Sequence, residues 1–492
     1  MKSVALGKRI LAGVAALGLI AACSTTATET SIAADGKPRA KVANGVLVGA
    51  LEDGIATYKG VPFAAPPVGD LRWKAPQPAA NWSGERAATE FGASCAQATR
   101  GNAAASSEDC LYLNVYAPQD AKNAPVMVWI HGGSNINGSG ARYDGAAFAR
   151  DGIVTVTINY RMGAFGFFAH PEITKAAAKD EPLANYGLMD QTAALQWVQK
   201  NISAFGGDPK RVTVFGESAG AIDIYALQGL KTSKGLFAQT IMESNITWGD
   251  SAPLEKEEAA GKALAIKAGA SETATLADLK AIPTAKFLEA GGGARFPIVD
   301  GRFMTETSLQ AVARKHTVDV PLIVGSNSYE ASLSRQLQGQ AQTDYTDNLA
   351  GAPARFIAAK SSDGKPSWLY FFSYVATDRR TPDSPGAPHA SEIAYVFNAA
   401  NRPAQAGGAP GAPEGSANAG PSEEDKAMAT LMHSCWVAFA KTGEPKCASG
   451  PAWPKYDPKT DQLMEFGSPS GVRTNFRKDA LDKFTAAEKD AK

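Results

Sequence analysis

The sequence has no excess of charge of either sign. Its 492 residues include 49 Lys plus Arg and 49 Asp plus Glu, so the formal net charge is zero, and no long run of one sign occurs. Proteins that bind nucleic acid present a basic surface to the phosphates. A nucleic-acid partner is therefore not expected.

The spacings that are typical of metal sites are also missing. Neither C-x-x-C nor H-E-x-x-H occurs in the chain, although both are common arrangements of zinc ligands. The sequence therefore predicts no metal site.

The apolar run near the N-terminus, Ile10 to Ala22, is too short to cross a bilayer comfortably. It follows three basic residues, which is the pattern of a secretory signal peptide over residues 1–22. The motif LIAAC, which ends at Cys23, resembles the lipobox of bacterial lipoproteins, in which the cysteine is lipidated. We expect a protein anchored through Cys23 on the periplasmic or outer-membrane side, with residues 23–39 as a tether. The alternative is a plain signal peptide and a secreted or periplasmic protein.

Cysteine is scarce, with five residues in the whole chain. Lipidation of Cys23 would leave four, and an even number of cysteines in an exported protein suggests disulfides. The most local pairing joins Cys95 with Cys110 and Cys435 with Cys447.

Short strand-like runs alternate with helical patterns along the chain. The runs APVMVWIHGG, GIVTVTINYR, VPLIVGS and SWLYFFSYV are typical of strands, whereas apolar residues recur at helical spacing from Leu188 to Ile202. Ser422 and Asp425 predict the capped start of a later helix that Gly443 ends. Residues 403–421 are of low complexity and are interpreted as a surface loop. The alternation indicates an α/β protein with a mainly parallel sheet covered by helices.

The stretch FGGDPKRVTVFGESAGA, Phe205 to Ala221, places a serine between two glycines. Ser218 follows the strand-like run Val212–Phe215 and precedes an apolar helical run from Ala219 to Leu227. A serine on a strand-to-helix turn is held in a strained conformation with its hydroxyl exposed. The free N–H groups of the following helix favour a negative charge beside it. The pattern predicts that Ser218 is a nucleophile.

Histidine is as scarce as cysteine, with five residues, so a catalytic base can be sought by elimination. In the order serine, acid, histidine of the α/β-hydrolases, the base comes last. His131 and His170 precede the serine, and His316 precedes the candidate acid discussed next, so this order leaves His389 and His433. His433 lies within a helical pattern and is interpreted as structural, whereas His389 lies in a Gly/Pro loop beyond a predicted strand, from which a base can reach the serine.

The acid should follow a strand between the serine and the histidine. Glu330 comes five residues after Gly325, in a polar turn beyond the run VPLIVGS. It is interpreted as the catalytic acid rather than as a surface ion-pair partner.

A glycine turn ends the run VMVWIHGGS. Gly132 and Gly133 let the backbone approach a substrate carbonyl closely, and the N–H of Ala219 would add a further donor. This turn is interpreted as part of an oxyanion hole.

Two long motifs then indicate a family. FGGDPKRVTVFGESAG resembles the nucleophile signature of the type-B carboxylesterases, relatives of the cholinesterases, and EDCLYLNVYAP resembles their second signature. YKGVPFAAPPVGDLRWKAPQP, NYRMGAFGF and ANYGLMDQTAALQWVQKNI agree as well, so the resemblance covers about Ala40 to Phe466. It implies a single α/β-hydrolase domain over residues 40–492, hydrolysis of small-molecule carboxylic esters, and no cofactor.

The resemblance also implies a role for individual residues. It puts the nucleophile on Ser218, the acid on Glu330 and the base on His389, in a two-step acyl transfer. We expect activity to fall as the pH drops through about 6 to 7, because a protonated histidine cannot act as base. The remaining implied features are the oxyanion N–H groups of Gly133, Ser134 and Ala219 and the disulfide Cys95–Cys110.

Four residues in three segments depart from the family pattern. Ser134 replaces a glycine of the oxyanion turn, Asp223 replaces a serine, and Glu243-Ser244-Asn245 replaces Gln-Ser-Gly. With Glu217, these changes put extra carboxylates behind the nucleophile. They are interpreted as hydrogen-bonded structural groups, with an altered substrate preference as the alternative.

The interval between Glu330 and His389 is short for this family. Family members usually carry a long helical segment there, so we expect one or two helices, a reduced cap region and an open entrance to the site. The same triad would also serve an amidase or peptidase. A non-catalytic cholinesterase-like binding protein is a further alternative, although such proteins have typically lost the serine or the histidine.

Overall fold

The computed structural model describes Met1 and residues 31–98, 106–249, 251–294, 296–334, 336–401 and 420–490. Cys23, all but the first residue of the predicted signal peptide, and nearly all of the low-complexity stretch lie outside the described residues. At the end of the predicted tether, Ser31–Ile32 pairs antiparallel with Pro38 and Arg39.

The described residues form seventeen strands in three sheets. In chain order, β1 to β17 are Ser31–Ile32, Pro38–Val42, Gly45–Val48, Ala50–Glu52, Ile55–Pro62, Glu85–Ala87, Ser94–Cys95, Ser106–Ser107, Tyr112–Pro118, Ala124–Ile130, Val154–Ile158, Gly207–Glu217, Gln239–Glu243, Leu322–Asn327, Ser367–Phe372, Gln462–Phe466 and Gly471–Thr474.

The main sheet has eleven strands, in the order β17-β16-β15-β14-β13-β12-β10-β11-β9-β5-β4. Every pairing from β11 through β10 and β12 to β16 is parallel. The antiparallel pairings lie at the two edges. The predicted mainly parallel sheet is therefore confirmed.

Helices separate the parallel strands, as right-handed crossover connections require. In chain order, α1 to α14 are Ala146–Arg150, Gly163–Gly166, Pro171–Ala176, Tyr186–Asn201, Ala219–Gly229, Leu254–Lys267, Leu276–Ala281, Thr284–Ala290, Ser308–Ala313, Gln340–Thr346, Ala352–Ser361, Ile393–Val396, Glu423–Thr442 and Lys478–Asp490. A π-helical turn, Asp347–Gly351, joins α10 to α11, and the short 3-10 helices are Gly69–Leu71, Gly140–Arg142, Ile202–Phe205, Lys231–Ser233, Glu330–Leu333, Thr377–Arg379 and Ala399–Asn401.

Strand β10 shows how the sheet is buried. Val126 and Val128 point into the core that α4, α5 and α11 cover, whereas Met127 and Trp129 point into the core that α13 covers. All four side chains are fully buried. Successive side chains of a strand point to opposite faces, so a run that is apolar throughout requires helices on both sides of the sheet.

Helix α13 has the predicted capping box, in which the Ser422 side chain accepts the Asp425 N–H and the Asp425 side chain accepts the Ser422 N–H. The helix ends at Gly443, which has a φ of 77°. Its His433 is buried and bonded through Nδ1 to Val396 O and through Nε2 to Asp151, in agreement with a structural role. Both expected disulfides, Cys95–Cys110 and Cys435–Cys447, are present. Among the helices in the described residues, none is long and apolar enough to span a membrane.

Candidate active site

The predicted catalytic residues all lie beyond the carboxyl ends of parallel strands, on the same side of the main sheet. The glycine turn follows β10, Ser218 follows β12, Glu330 follows β14, and His389 lies in the connection that leaves β15. These strands are all parallel, and the carboxyl ends of parallel strands are where α/β proteins build their sites. The topology therefore brings four distant segments together.

Ser218 lies on a sharp turn between β12 and α5. Its φ of 56° and ψ of −121° form a strained conformation for a residue other than glycine. A Cβ on Gly220 would come within 2.0 Å of Ile130 O, and one on Gly216 within 2.5 Å of the same atom. The two glycines of the motif are therefore required because β10 passes directly behind the turn.

The glycine turn packs against the nucleophile. A Cβ on Gly132 would lie 2.7 Å from Glu217 Oε2 and 3.0 Å from Ser218 Cβ. Gly133 and Ser134 have φ values of 109° and 56°. In the described part of the chain, the N–H groups of Gly133, Ser134 and Ala219 have no hydrogen-bond acceptor. All three are available to a negatively charged oxygen beside Ser218.

His389 is held by the predicted acid. Its Nδ1 lies 2.5 Å from Glu330 Oε2, and the other carboxylate oxygen of Glu330 accepts the Asn327 N–H at 2.7 Å. The backbone N–H of His389 donates to Ser332 Oγ at 3.0 Å. Glu330 is fully buried, and the His389 side chain is 7% exposed. The imidazole is therefore fixed with Nε2 directed away from the acid.

Glu217, the residue before the nucleophile, is a fourth member of this group. Its Oε1 lies 3.0 Å from His389 Nε2, as close as an ion pair. Among the described residues, no hydrogen bond joins Ser218 Oγ to His389. Catalytic hydrogen bonds are often long in a site without substrate and shorten when substrate binds. Glu217 thus lies beside Nε2, the nitrogen through which His389 would accept the serine proton.

The two carboxylates change the acidity of the imidazole. Burial lowers the pKa of His389, but the charges of Glu217 and Glu330 oppose that effect, and the net pKa lies well above the usual value of 6.5. A general base works only when it is deprotonated. We therefore expect the loss of activity in acid at a higher pH than the range of about 6 to 7 that an ordinary histidine would give.

Substituting Glu217→Gln should move the acid limb of the kcat/KM profile to lower pH. The change removes one of two charges that favour the protonated imidazole, and the remaining Glu330 leaves the pKa less raised. The measurement is kcat/KM for an uncharged ester between pH 5 and 10, for the wild type and the variant. The matched control is Asp461→Asn. Asp461 is also buried, but it lies at the amino end of β16, away from the carboxyl ends where the site is built. An unchanged limb in Glu217→Gln would contradict this account of the histidine pKa.

Further buried carboxylates surround the histidine, and one of them was not predicted. Glu392 accepts hydrogen bonds from Ser244 Oγ at 3.2 Å and from Asn327 Nδ2 at 2.5 Å. Burial, together with the charges of Glu217 and Glu330, raises its pKa to about 8. Its only local signal is its place three residues after His389, because its partners come from other parts of the chain.

Glu243 is also buried, and Trp436 Nε1 donates to its Oε1 at 2.7 Å. Burial, reinforced by the charges of Glu392 and Glu217, raises the pKa of Glu243 well above its usual value. Asp223 accepts hydrogen bonds from Asn135 and Gln191. These contacts agree with the interpretation of the extra carboxylates as hydrogen-bonded groups.

Comparison with known sequences gives a consistent result. The profile of the Carboxylesterase family matches residues 37–345 and 334–484. The chain is 35% identical to the fumonisin B1 esterase of Sphingopyxis macrogoltabida, over 86% of this chain and 85% of that one. It is 34% identical to the para-nitrobenzyl esterase of Bacillus subtilis, over 85% of this chain and 93% of that one.

Solved structures show the same likeness. A para-nitrobenzyl esterase superposes with a TM-score of 0.79 at 30% identity, covering 91% of this chain and 99% of that one. A carboxylesterase of Geobacillus stearothermophilus superposes with a TM-score of 0.78 at 30% identity, with the same coverage. The expected α/β-hydrolase fold is therefore confirmed.

Proposed function

The chain belongs to the carboxylesterase family and is a carboxylic ester hydrolase, and we propose that it cleaves its substrates through an acyl-enzyme formed on Ser218. The observation that carries this proposal is the pairing of His389 with Glu330 at the carboxyl ends of the parallel strands, where Ser218 occupies its strained turn. A nucleophile, a base and a group that orients the base are the parts that acyl transfer requires.

In the first step, Ser218 Oγ attacks the ester carbonyl carbon while His389 Nε2 takes the hydroxyl proton. The carbonyl oxygen becomes an oxyanion, which the N–H groups of Gly133, Ser134 and Ala219 bind. The protonated imidazole then gives its proton to the leaving alcohol oxygen as the C–O bond breaks. In the second step, water attacks the acyl carbon while His389 Nε2 takes its proton. The imidazole then gives that proton to Ser218 Oγ as the bond from Oγ to the acyl carbon breaks, which releases the carboxylic acid and restores the serine.

The carboxylates around His389 lower the barrier to both steps. The imidazole is positively charged in each transition state, and Glu330 and Glu217 lie within 3.0 Å of its two nitrogens. Opposite charges at this distance in a buried site interact more strongly than they do in water. Both carboxylates therefore stabilise the transition state more than the resting enzyme with a neutral ring.

We propose that the preferred substrates are small-molecule esters with a compact acyl group and a bulky alcohol. Two relatives are named as esterases of fumonisin B1 and of para-nitrobenzyl esters. The Ser134 side chain occupies a position where the family usually has glycine, close to the acyl carbon. Between Glu330 and β15, the described residues hold one short α-helical region, α10 to α11, as predicted, which favours an open entrance.

An exposed apolar side chain beside the histidine loop supports that choice of alcohol. Leu333 is 49% exposed and follows Ser332, which binds the His389 backbone. Apolar groups of a substrate that extend out of the site can therefore lose contact with water against this side chain.

The test is a series of acetate esters with increasingly bulky alcohols, each paired with the amide of the matching amine. We expect kcat/KM to be maintained or to rise with aromatic and branched alcohols, and the amides to react far more slowly. A collapse of kcat/KM at the first branched or aromatic alcohol would contradict the open entrance. Amides that react as fast as the esters would instead support the amidase alternative.

We also propose that the protein is exported and held at the membrane through a lipid on Cys23 alone. The support is the signal-like N-terminus and the lipobox-like LIAAC. Mass spectrometry of the N-terminal peptide from native membranes should show a diacylglyceryl cysteine. An unmodified N-terminus in the soluble fraction would indicate simple secretion instead.

A further inference from the structure

Asp223 is a fully buried carboxylate on α5, five residues after the nucleophile. Its Oδ1 accepts the Asn135 side-chain amide at 3.0 Å, and its Oδ2 accepts the Gln191 side-chain amide at 2.5 Å. Within the described residues, no Lys or Arg pairs with it. Its hydrogen-bond partners are therefore two neutral amides, one of which belongs to the glycine turn.

Asn135 ends the strained part of that turn. Gly133, Ser134 and Asn135 have φ values of 109°, 56° and 54°, which makes three successive residues in the left-handed region. Such conformations cost on the order of 1 kcal/mol each for residues other than glycine and persist only where contacts hold them. Here Asn135 Oδ1 accepts from the Tyr160 hydroxyl at 3.0 Å, and Asn135 O accepts the Gly163 N–H at 2.6 Å.

The Asp223 carboxylate is an acceptor for the Asn135 side-chain amide. Helix α5 therefore carries the nucleophile and Ala219 at its start and, on the second turn, the carboxylate that binds the glycine turn. We propose that Asp223 is a positioning residue that fixes the N–H groups of Gly133 and Ser134 against Ser218 through its hydrogen bond to Asn135. This inference rests on the proposed function, because it assigns those N–H groups to the oxyanion.

An apolar or small residue would fill this position at a lower cost in folding free energy than a buried carboxylate. Burial raises the pKa of Asp223 to about 7, although the hydrogen bonds from Gln191 and Asn135 oppose the rise. A buried carboxylate without a cation opposes folding when it is ionised. The serine that the family usually has here has a single oxygen, which cannot bind both amides in the same way. The carboxylate thus adds a contact to the turn that the family pattern lacks.

The first comparison is between Asp223→Ser and Asp223→Asn. Asp223→Ser removes the carboxylate that binds the Asn135 amide, so kcat for an ester should fall about 10- to 100-fold with KM within about threefold, since only transition-state binding weakens. Asp223→Asn keeps one oxygen for Asn135. Its new amide can donate to Gln191 Oε1, which is buried and has no partner among the described residues. Activity should therefore stay within about threefold of the wild type.

A double-mutant cycle tests whether Asp223 acts through Asn135. Asn135→Ala should reduce kcat by about the same factor as Asp223→Ser, and the double variant should be no worse than Asn135→Ala alone. If the losses of kcat in the two single variants multiply in the double variant, the proposal is overturned. A folded Asp223→Ser that keeps kcat within twofold of the wild type also overturns it. If Asp223→Ser does not fold, an Asn135→Ala variant with wild-type kcat overturns it. Asp461→Asn, which removes a buried charge at the amino end of β16, should leave kcat unchanged.

An oxyanion mimic separates this inference from the proposed function. An alkyl trifluoromethyl ketone adds reversibly to a catalytic serine and forms a tetrahedral oxyanion, so its affinity should fall in Asp223→Ser by the same factor as kcat/KM. If the wild type forms no such adduct, the proposed acyl-enzyme mechanism fails. If the wild type forms it and the affinity is the same in Asp223→Ser, only the positioning role fails.

Discussion

The variant Ser218→Ala should lose at least about 10⁴-fold in kcat for ester hydrolysis while keeping the wild-type fold. The reason is that the serine oxygen forms the bond to the acyl carbon, and loss of a catalytic serine of this kind costs far more than loss of a single hydrogen bond. Alanine also fits the site, because it keeps the Cβ of Ser218 and removes only the Oγ. The measurement is steady-state hydrolysis of an activated ester, with circular dichroism as the check on folding.

A contaminating host esterase would hide this effect, so the variant should be purified beside a mock preparation. The matched control is Ser244→Ala, which removes a buried hydroxyl that bonds to Glu392 rather than to substrate. Its loss of kcat should be far smaller than that of Ser218→Ala. A folded Ser218→Ala that kept more than about one hundredth of the wild-type activity would contradict the assignment of the nucleophile.

The variant Glu330→Gln should lose about 10³- to 10⁴-fold in kcat with little change in KM. Glu330 Oε1 accepts the Asn327 N–H, so the oxygen of the glutamine amide must stay there and its NH₂ group must face His389 Nδ1. A donor at Nδ1 forces the ring proton onto Nε2, and the base can then no longer accept the serine proton. Holding the wrong tautomer in unchanged geometry has a cost of this order in serine hydrolases.

A pH profile of Glu330→Gln checks the same reasoning independently. With one carboxylate gone, the pKa of His389 should be less raised, and the remaining activity should extend to lower pH than in the wild type. A variant with more than about one tenth of the wild-type kcat would show that Glu330 does not orient the base. The acid would then have to be sought among the other buried carboxylates near His389.

Much of the fold and of the triad could be predicted because the signals are local in sequence. Strands β10, β12, β14 and β15 are apolar runs bounded by polar or Gly/Pro turns, and each candidate site residue follows one of them. Parallel strands place their carboxyl ends together. The order of these segments along the chain was therefore enough to predict that Ser218, Glu330 and His389 share one site.

The contacts between side chains from distant segments could not be predicted. Asn135 and Asp223 are 88 residues apart, and Ser244 and Glu392 are 148 apart, so no spacing in the sequence relates them. Glu217 was visible as part of the serine motif, but its approach to His389 Nε2 depends on the rotation of both side chains. The expected pH range of about 6 to 7 assumed an ordinary histidine, whereas Glu217 and Glu330 together raise the pKa of His389.

The most direct test of the central claim is labelling with a fluorophosphonate, which reacts preferentially with an activated serine. The wild type should take up one phosphonyl group per chain, lose activity in proportion to labelling, and carry the group on Ser218 in the peptide map. Ser218→Ala should take up none. Full inactivation with the label on another residue, or with Ser218 unmodified, would contradict the acyl-enzyme mechanism proposed for this esterase.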